Sequence, residues 1–381
     1  MSLFLISFFL IYGGVHLYAY LKIRSAVAVG PTASLLLILF MAAMVLAPVF
    51  VRMAERHSCD TAAHVLSWTG YLWMGFLFLF FSTAILIDLY RLVLWAGGWV
   101  AGKDLSDLAP SPRLSLCLPL VLAVVLSVYG YFEALNVRVE RVVLRSPKIP
   151  RSVGKVTVVQ ISDVHLGLII RQKRLAGILE KVREANPDIV ISTGDLVDGQ
   201  INRLEGLAEA LGRIQPRFGK YAVTGNHEFY AGLEQALDFT EKAGFTVLRG
   251  EGRLAGGVIN VVGVDDPAGL GFGPVRGGSE RGLLSQFPQD QFTLFLKHRP
   301  LVDPDALGLF DLQASGHTHN GQIFPFTMLI WMVYPADSGL TRLGHSSLYV
   351  SRGTGTWGPP IRFLVPPEVT VYEIHADGPV H

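Results

Sequence analysis

Cysteine is nearly absent from this chain, charge is sparse, and no basic residue precedes the first apolar run. The two cysteines, Cys59 and Cys117, fall in different segments of the apolar half, which excludes a disulfide framework and a thiolate zinc site. Only 17% of residues are charged and the net charge is +1, so nothing attracts the chain as a whole to nucleic acid. Met1 to Leu21 has no Lys or Arg in front of it and no clear small-x-small site after it, which argues against a removed signal peptide. Beyond the Gly-rich stretch from Gly269 to Gly282 there is no low-complexity tract, and no internal repeat.

What the chain has in abundance is apolar sequence. With 381 residues, 50% of them hydrophobic, it is too apolar for one ordinary soluble domain and too long for a single core. Four runs, 1–21, 32–51, 65–95 and 114–135, are each long enough to cross the hydrocarbon of a bilayer, which predicts an integral, multi-pass membrane region over 1–136. The third run is over-long and should tilt or continue past the interface. Asp88 and Arg91, three apart near its end, read as an interfacial pair that reaches for the headgroups. His57, Cys59 and His64 match no metal template and read as a wet loop. An even number of spans puts the N-terminus and the C-terminal domain on one side. Lys22 and Arg24, directly after the first span, tip that side towards the periplasmic face of a bacterial inner membrane. The basic segment from Arg138 to Lys155 pulls the other way or meets anionic lipid.

Residues 137–152 read as a juxtamembrane linker punctuated by Ser146-Pro147 and Ile149-Pro150, followed by a domain over 153–381. Strands and helices alternate there at first. Arg171 to Ala185 carries Leu175, Ile178, Leu179 and Val182 at helical spacing, and Leu204 to Ile214 and Leu233 to Ala243 are further helix candidates. After Phe245 strands dominate, with Val258 to Val264, Phe292 to Leu296, Leu348 to Ser351 and Val369 to Ile374. Alternation first and strands later predicts a two-sheet α/β sandwich.

Within that domain each apolar run ends in groups that bind metals. Val156 to Ile161 leads to Asp163 and His165, Asp188 to Ile191 leads to Gly194-Asp195, and Tyr221 to Val223 leads to Gly225-Asn226-His227-Glu228. Phe292 to Leu296 leads to His298, and Leu309 to Ala314 leads to Gly316-His317-Thr318-His319. In layered α/β folds ligands gather at the carboxyl ends of strands, where distant loops converge. Two imidazoles one residue apart on a tight turn suit a pair of ions better than one. Oxygen and nitrogen donors without sulfur favour Mn, Fe or Zn and leave positions open for water and substrate.

These five motifs, in this order, resemble the calcineurin-like metallophosphoesterase family over roughly three-fifths of the chain. The resemblance implies an α/β domain of two packed mixed β-sheets flanked by helices, behind a four-helix transmembrane bundle. It implies two divalent ions, manganese favoured: one held by Asp163, His165 and His319, the other by Asn226, His298 and His317, with Asp195 between them. A bridging hydroxide would attack phosphorus, and His227 would protonate the leaving group as general acid. Asp198 is placed to orient His227, Glu228 to support the site, and Arg362, near the Gly353 and Gly355 turn, to pair with a phosphate or to serve the structure. One departure is Asn320 in Gly316-His-Thr-His-Asn-Gly-Gln322, where relatives often carry Gly-Gly-Gln; Asn tolerates the left-handed conformation such a turn needs.

Membrane tethering points to a lipid or envelope-linked phosphate ester, similar to the substrates of UDP-2,3-diacylglucosamine pyrophosphatase-like and cell-envelope phosphoesterases. Ile323 to Tyr334 is too short to span; it reads either as a core strand or as an exposed loop, an apolar patch to which Leu270 and Phe272 could add. An anchored hydrolase of soluble nucleotides or phosphoproteins, and a membrane scaffold that has lost catalysis, remain open as alternatives.

Overall fold

The computed structural model describes residues 2–199, 204, 206–271, 278–334 and 336–377; Phe272 lies outside them. It divides into two bodies: Met1–Phe132 with Gly358–Ile361, and Glu133–Trp357 with Arg362–His381.

Among the described residues the first body contains four α-helices, α1 (Ser2–Ala26), α2 (Pro31–Arg56), α3 (Asp60–Ala101) and α4 (Pro112–Leu135). All four are long and apolar enough to cross a membrane, and each outruns its sequence-predicted span by a few residues or more. Proline opens α2 and α4, where the missing N–H costs nothing, and Gly102 in the left-handed conformation closes α3. At 42 residues α3 extends about 60 Å at 1.5 Å per residue, about twice the hydrocarbon thickness. Large aliphatic side chains face outward, Leu10 and Leu36 among them. Polar groups pair inside. The ring of His16 donates to the Tyr12 carbonyl (2.8 Å) and accepts from the Trp73 indole (2.9 Å). Asp88 differs from the sequence reading: its partners are Lys22, in an ion pair, and the Tyr18 hydroxyl at 2.6 Å, both on α1. Two helices brought side by side offer Asp88 a partner that spacing along α3 alone cannot reveal.

The second body is built on two mixed six-stranded sheets. Strands β1 (Arg138–Ser146), β2 (Lys155–Ile161), β3 (Ile189–Ser192), β4 (Lys220–Ala222) and β5 (Thr246–Val247) are joined by β12 (Glu368–Ala376), in the order β1-β12-β2-β3-β4-β5. The second sheet runs β10 (Gly339–Leu343), β11 (Ser346–Val350), β9 (Leu312–Ser315), β8 (Phe292–Leu296), β7 (Ile259–Gly263), β6 (Glu251–Ala255). Its helices are α5 (Gln172–Glu184), α6 (Leu207–Gly212), α7 (Asn226–Ala231), α8 (Leu233–Lys242), α9 (Glu280–Leu284) and α10 (Phe326–Val333).

Side-chain alternation explains the layers. On β2, Val156 and Val158 join Leu294, Leu296 and Ile374 in the core between the sheets, while Val159 and Ile161 face Leu175, Ile178 and Phe239 under the helices. Residues 137–152, read as a linker, are largely β1, which pairs in parallel with β12 from Arg138↔Glu368 to Ser146↔Ala376. The Arg and Glu residues of an edge strand disguise it as a linker. The Ile323 to Tyr334 run is neither strand nor loop: its centre is α10, and most of its side chains are exposed.

Candidate metal centre

Strands β2, β3, β4, β8 and β9 deliver the candidate ligands from their carboxyl ends. The loops interlock through the backbone: Asp163 N–H donates to the Gly194 carbonyl (3.0 Å), His165 N–H to the Asp195 carbonyl (3.0 Å) and Gly316 N–H to the His298 carbonyl (2.9 Å). Close approach demands glycine at several turns. A Cβ on Gly225 would fall 2.1 Å from Asp195 Oδ1, and one on Gly316 would fall 1.9 Å from Ser162 Oγ. Asp163, His165, Asp195, His317 and His319 all have positive φ, between 47° and 73°. Such strain persists only where the surroundings over-determine it, and it concentrates at functional sites. Asn320 shares the conformation at φ 46°, as its side-chain type allows.

Among the described residues the buried carboxylates and rings assemble into two donor clusters, and His165 and Asp195, one from each, also group with His227. In the first, His165 Nε2 and His319 Nε2 stand 3.0 Å apart, with Asp163 Oδ1 3.6 Å from the latter. In the second, His298 donates through Nδ1 to the Thr193 carbonyl at 2.8 Å, which leaves a lone pair on Nε2. That Nε2 lies 3.1 Å from His317 Nδ1, 3.3 Å from Asn226 Oδ1 and 3.3 Å from Asp195 Oδ2. Asp195 Oδ2 is also 3.8 Å from His165 Nε2, so one oxygen faces both clusters. The other, Oδ1, is occupied by the His227 backbone N–H at 2.9 Å.

Acceptors gathered round acceptors fit a cation, and on the other side of the His165 ring Nδ1 lies 3.5 Å from an Asp198 carboxylate oxygen. Burial, above all, pushes the Asp163 carboxyl up, and the Asp195 charge adds to it. Burial lowers His317 to about 3, and with Arg362 it holds His319 well below the usual imidazole range, so both rings are neutral and able to ligate. Burial opposes a charge on His298 and His227 too, but Asp195 overrides it and both are raised to about 10. Two cations would satisfy the same carboxylate. The residues present therefore fit a pair of divalent ions.

Beside the clusters, His227 donates from Nδ1 to the Asp198 carbonyl at 2.6 Å, with the Asp198 carboxylate at 3.2 Å. Its Nε2 is the atom left to exchange a proton. His227 meets Tyr230 and Trp357, both half-exposed, which places the ring at the rim of the site.

Two supports were not visible at their full value in the sequence. Glu228 is buried, and its carboxylate accepts from the backbone N–H groups of Gly225, Asp195, Leu196 and Val197 at 2.7–3.3 Å, clamping two ligand turns together. Arg299 is held by Asp266 through two bonds of 2.8 and 3.1 Å and lies near Tyr230 and Tyr334. Its position directly after His298 was the available signal. Arg362, offered as a phosphate contact, is fully buried. Its guanidinium donates to the carbonyls of Gly355 and Arg352 and, at 3.0 Å, to His319 Nδ1 from behind.

Residues 156–321 match the calcineurin-like phosphoesterase family model. A metallophosphoesterase of Aquifex aeolicus is 37% identical over 260 residues, 68% of this chain and 99% of that protein. A transmembrane protein with metallophosphoesterase domain from Danio rerio is 34% identical over 66% of this chain, which spans 61% of that longer protein. An ordered set of strained ligand turns, two donor clusters sharing one carboxylate and this degree of identity lead to one assignment: the chain belongs to the calcineurin-like phosphoesterase family, as a membrane-embedded, metal-dependent phosphoester hydrolase.

Proposed function

We propose that this protein hydrolyses a phosphodiester, pyrophosphate or phosphomonoester bond of a lipid or envelope-linked substrate, with its catalytic domain on the periplasmic side of a bacterial inner membrane. Manganese is the favoured metal. The observation that carries the reading is Asp195 Oδ2, set between two histidine clusters, with the rim histidine His227 alongside.

When bound, two divalent ions make water nucleophilic near neutral pH and offset the negative charge of the phosphate. Asp163, His165 and His319 would hold one of them, and Asn226, His298 and His317 the other. Asp195 Oδ2 faces both sets of residues, and Glu228 holds the Asp195 turn in place through its backbone N–H. His227, turned by Asp198 so that Nε2 looks outward, donates the proton that the leaving oxygen needs. Arg299, rather than the buried Arg362, supplies a cation beside the rim tyrosines. Tethering by four spans and the apolar surface at α10 support a lipid-linked substrate.

The test is hydrolysis of bis-(p-nitrophenyl) phosphate by purified protein stripped of metal and resupplied with Mn, Zn or Fe. Activity should return with metal and fall at least a thousandfold in Asp195→Asn. In His227→Ala the loss should be small for p-nitrophenyl esters and about 10²- to 10⁴-fold for alkyl esters, whose leaving groups require protonation. Full activity in Asp195→Asn would overturn the bridging assignment.

A further inference from the structure

Helix α10 contributes no ligand to the site, yet it displays an exposed apolar surface. From Ile323 to Tyr334 no residue is charged, and within the helix only Thr327 is buried. Met332 is 82% exposed and Val333 70%, with Trp331, Met328 and Leu329 about half exposed. Soluble surfaces scatter such residues singly; here they are contiguous.

This helix is bolted to the metal centre at both ends. On its N-terminal side, Gly321, two residues after His319, packs so closely on Thr327 that a Cβ there would fall 2.5 Å from the Thr327 nitrogen. On its C-terminal side, the Tyr334 ring meets the His317 ring edge-on at 5.9 Å. The helix therefore forms one edge of the site.

Within the same body, backbone N–H groups link the approach to α10 with Phe363, Leu364 and Glu133. Phe324 N–H donates to the Phe363 carbonyl, and the next residue, Leu364, is exposed. Leu364 N–H donates at 2.9 Å to Glu133, which lies in the last turn of α4. Only Asn136 and Val137 separate α4 from β1, a tether of about 7 Å. An uncharged surface rich in Trp, Met and aliphatic side chains, in a body whose first strand is separated by two residues from a membrane-spanning helix, has one occupant always within reach: the leaflet that helix enters.

We propose that α10 is an interfacial helix seated in the membrane leaflet, so that the metal site opens at the depth of lipid headgroups. The seating stands without any particular substrate. Where it names a substrate class, glycerophospholipid-like esters approached from within the leaflet, it rests on the lipid-linked reading given above. A helix of two turns lying in the headgroup region needs no further partner.

The test uses the full chain in nanodiscs of phosphatidylethanolamine and phosphatidylglycerol. With Cys59 and Cys117 replaced by serine, an environment-sensitive nitrobenzoxadiazole label is attached at Met332→Cys or, as an aqueous control, at Glu234→Cys, an exposed site on α8. The Met332 label should emit to the blue of the control and lose at least half its emission to lipids carrying a nitroxide near the headgroup, while the control keeps its own. Equal, weak quenching at both sites overturns the proposal. So does a blue-shifted Met332 label that lipid nitroxide fails to quench, since protein, such as a second copy of this chain, then covers the helix. Leu329→Glu with Met332→Glu should reduce turnover of a bilayer-embedded phosphodiester at least tenfold and leave bis-(p-nitrophenyl) phosphate hydrolysis unchanged; an equal loss on both overturns it. Strong quenching in a protein that cleaves the soluble diester but no lipid ester upholds the seating and removes the lipid-substrate reading instead.

Discussion

The two bodies of this protein solve opposite solvation problems with the same residues. In the membrane-spanning body leucine faces outward, Leu10 and Leu36 being more than half exposed, and polar groups such as His16 and Lys22 turn inward. In the catalytic body Leu294 and Leu296 are wholly buried, and the groups that carry chemistry crowd the ends of strands. Lipid is as apolar as leucine, so nothing drives the spans to bury it, whereas water drives every strand of the second body to do so. Helix α10 is the exception that teaches most. It sits in the second body and follows the rule of the first.

Truncation is the strongest way to break the comparison. Leu294→Ala opens a cavity in the inter-sheet core and should cost about 2–5 kcal/mol in the thermal unfolding of the catalytic body. Leu36→Ala, in a bilayer, should cost less than about 1 kcal/mol, because lipid fills the gap. Met332→Ala should behave like Leu36→Ala; if it destabilises like Leu294→Ala, α10 is core after all.

A buried charge gives a second comparison. Glu228→Gln leaves the carboxylate's shape but removes the charge that four backbone N–H groups share, and should destabilise the catalytic body by about 1–3 kcal/mol in denaturant unfolding. In the first body, Lys22→Met should cost about 1–2 kcal/mol, since Asp88 stays partly exposed. Adding Asp88→Leu should restore most of that loss in a double-mutant cycle; a purely additive result would mean the pair is not coupled.

A third comparison is a pH slope. Burial lowers Lys220 to about 8, with its ammonium facing the carbonyls of Leu211 and Ala243. A lysine whose folded value lies below its unfolded value of about 10.4 disfavours folding while protonated in both states. Stability from this group should therefore rise as pH climbs from about 8 to about 10, and the rise should vanish in Lys220→Met.

Much of this molecule was legible from pattern alone. Apolar runs longer than a bilayer is thick marked the four spans, because no water-soluble core needs them. The ligand turns announced themselves because each follows a short apolar run and several carry glycine, and the structure shows that a Cβ would collide at Gly225 and Gly316. Contacts between distant segments were not legible. Asp88 looked to Arg91 along its own helix and found Lys22 on another. The strand β1 passed for a linker because its partner, β12, lies more than two hundred residues away.

What the sequence by itself determined is the chemistry: which groups can bind metal, in what order, behind how many spans. Tertiary structure decided where each group points. It turned Arg362 away from any phosphate and onto the back of His319, assigned one oxygen of Asp195 to both clusters, and exposed α10 instead of burying it. The reason is that periodicity encodes which face of an element is apolar, while the direction of a side chain at a loop depends on neighbours that only folding brings together.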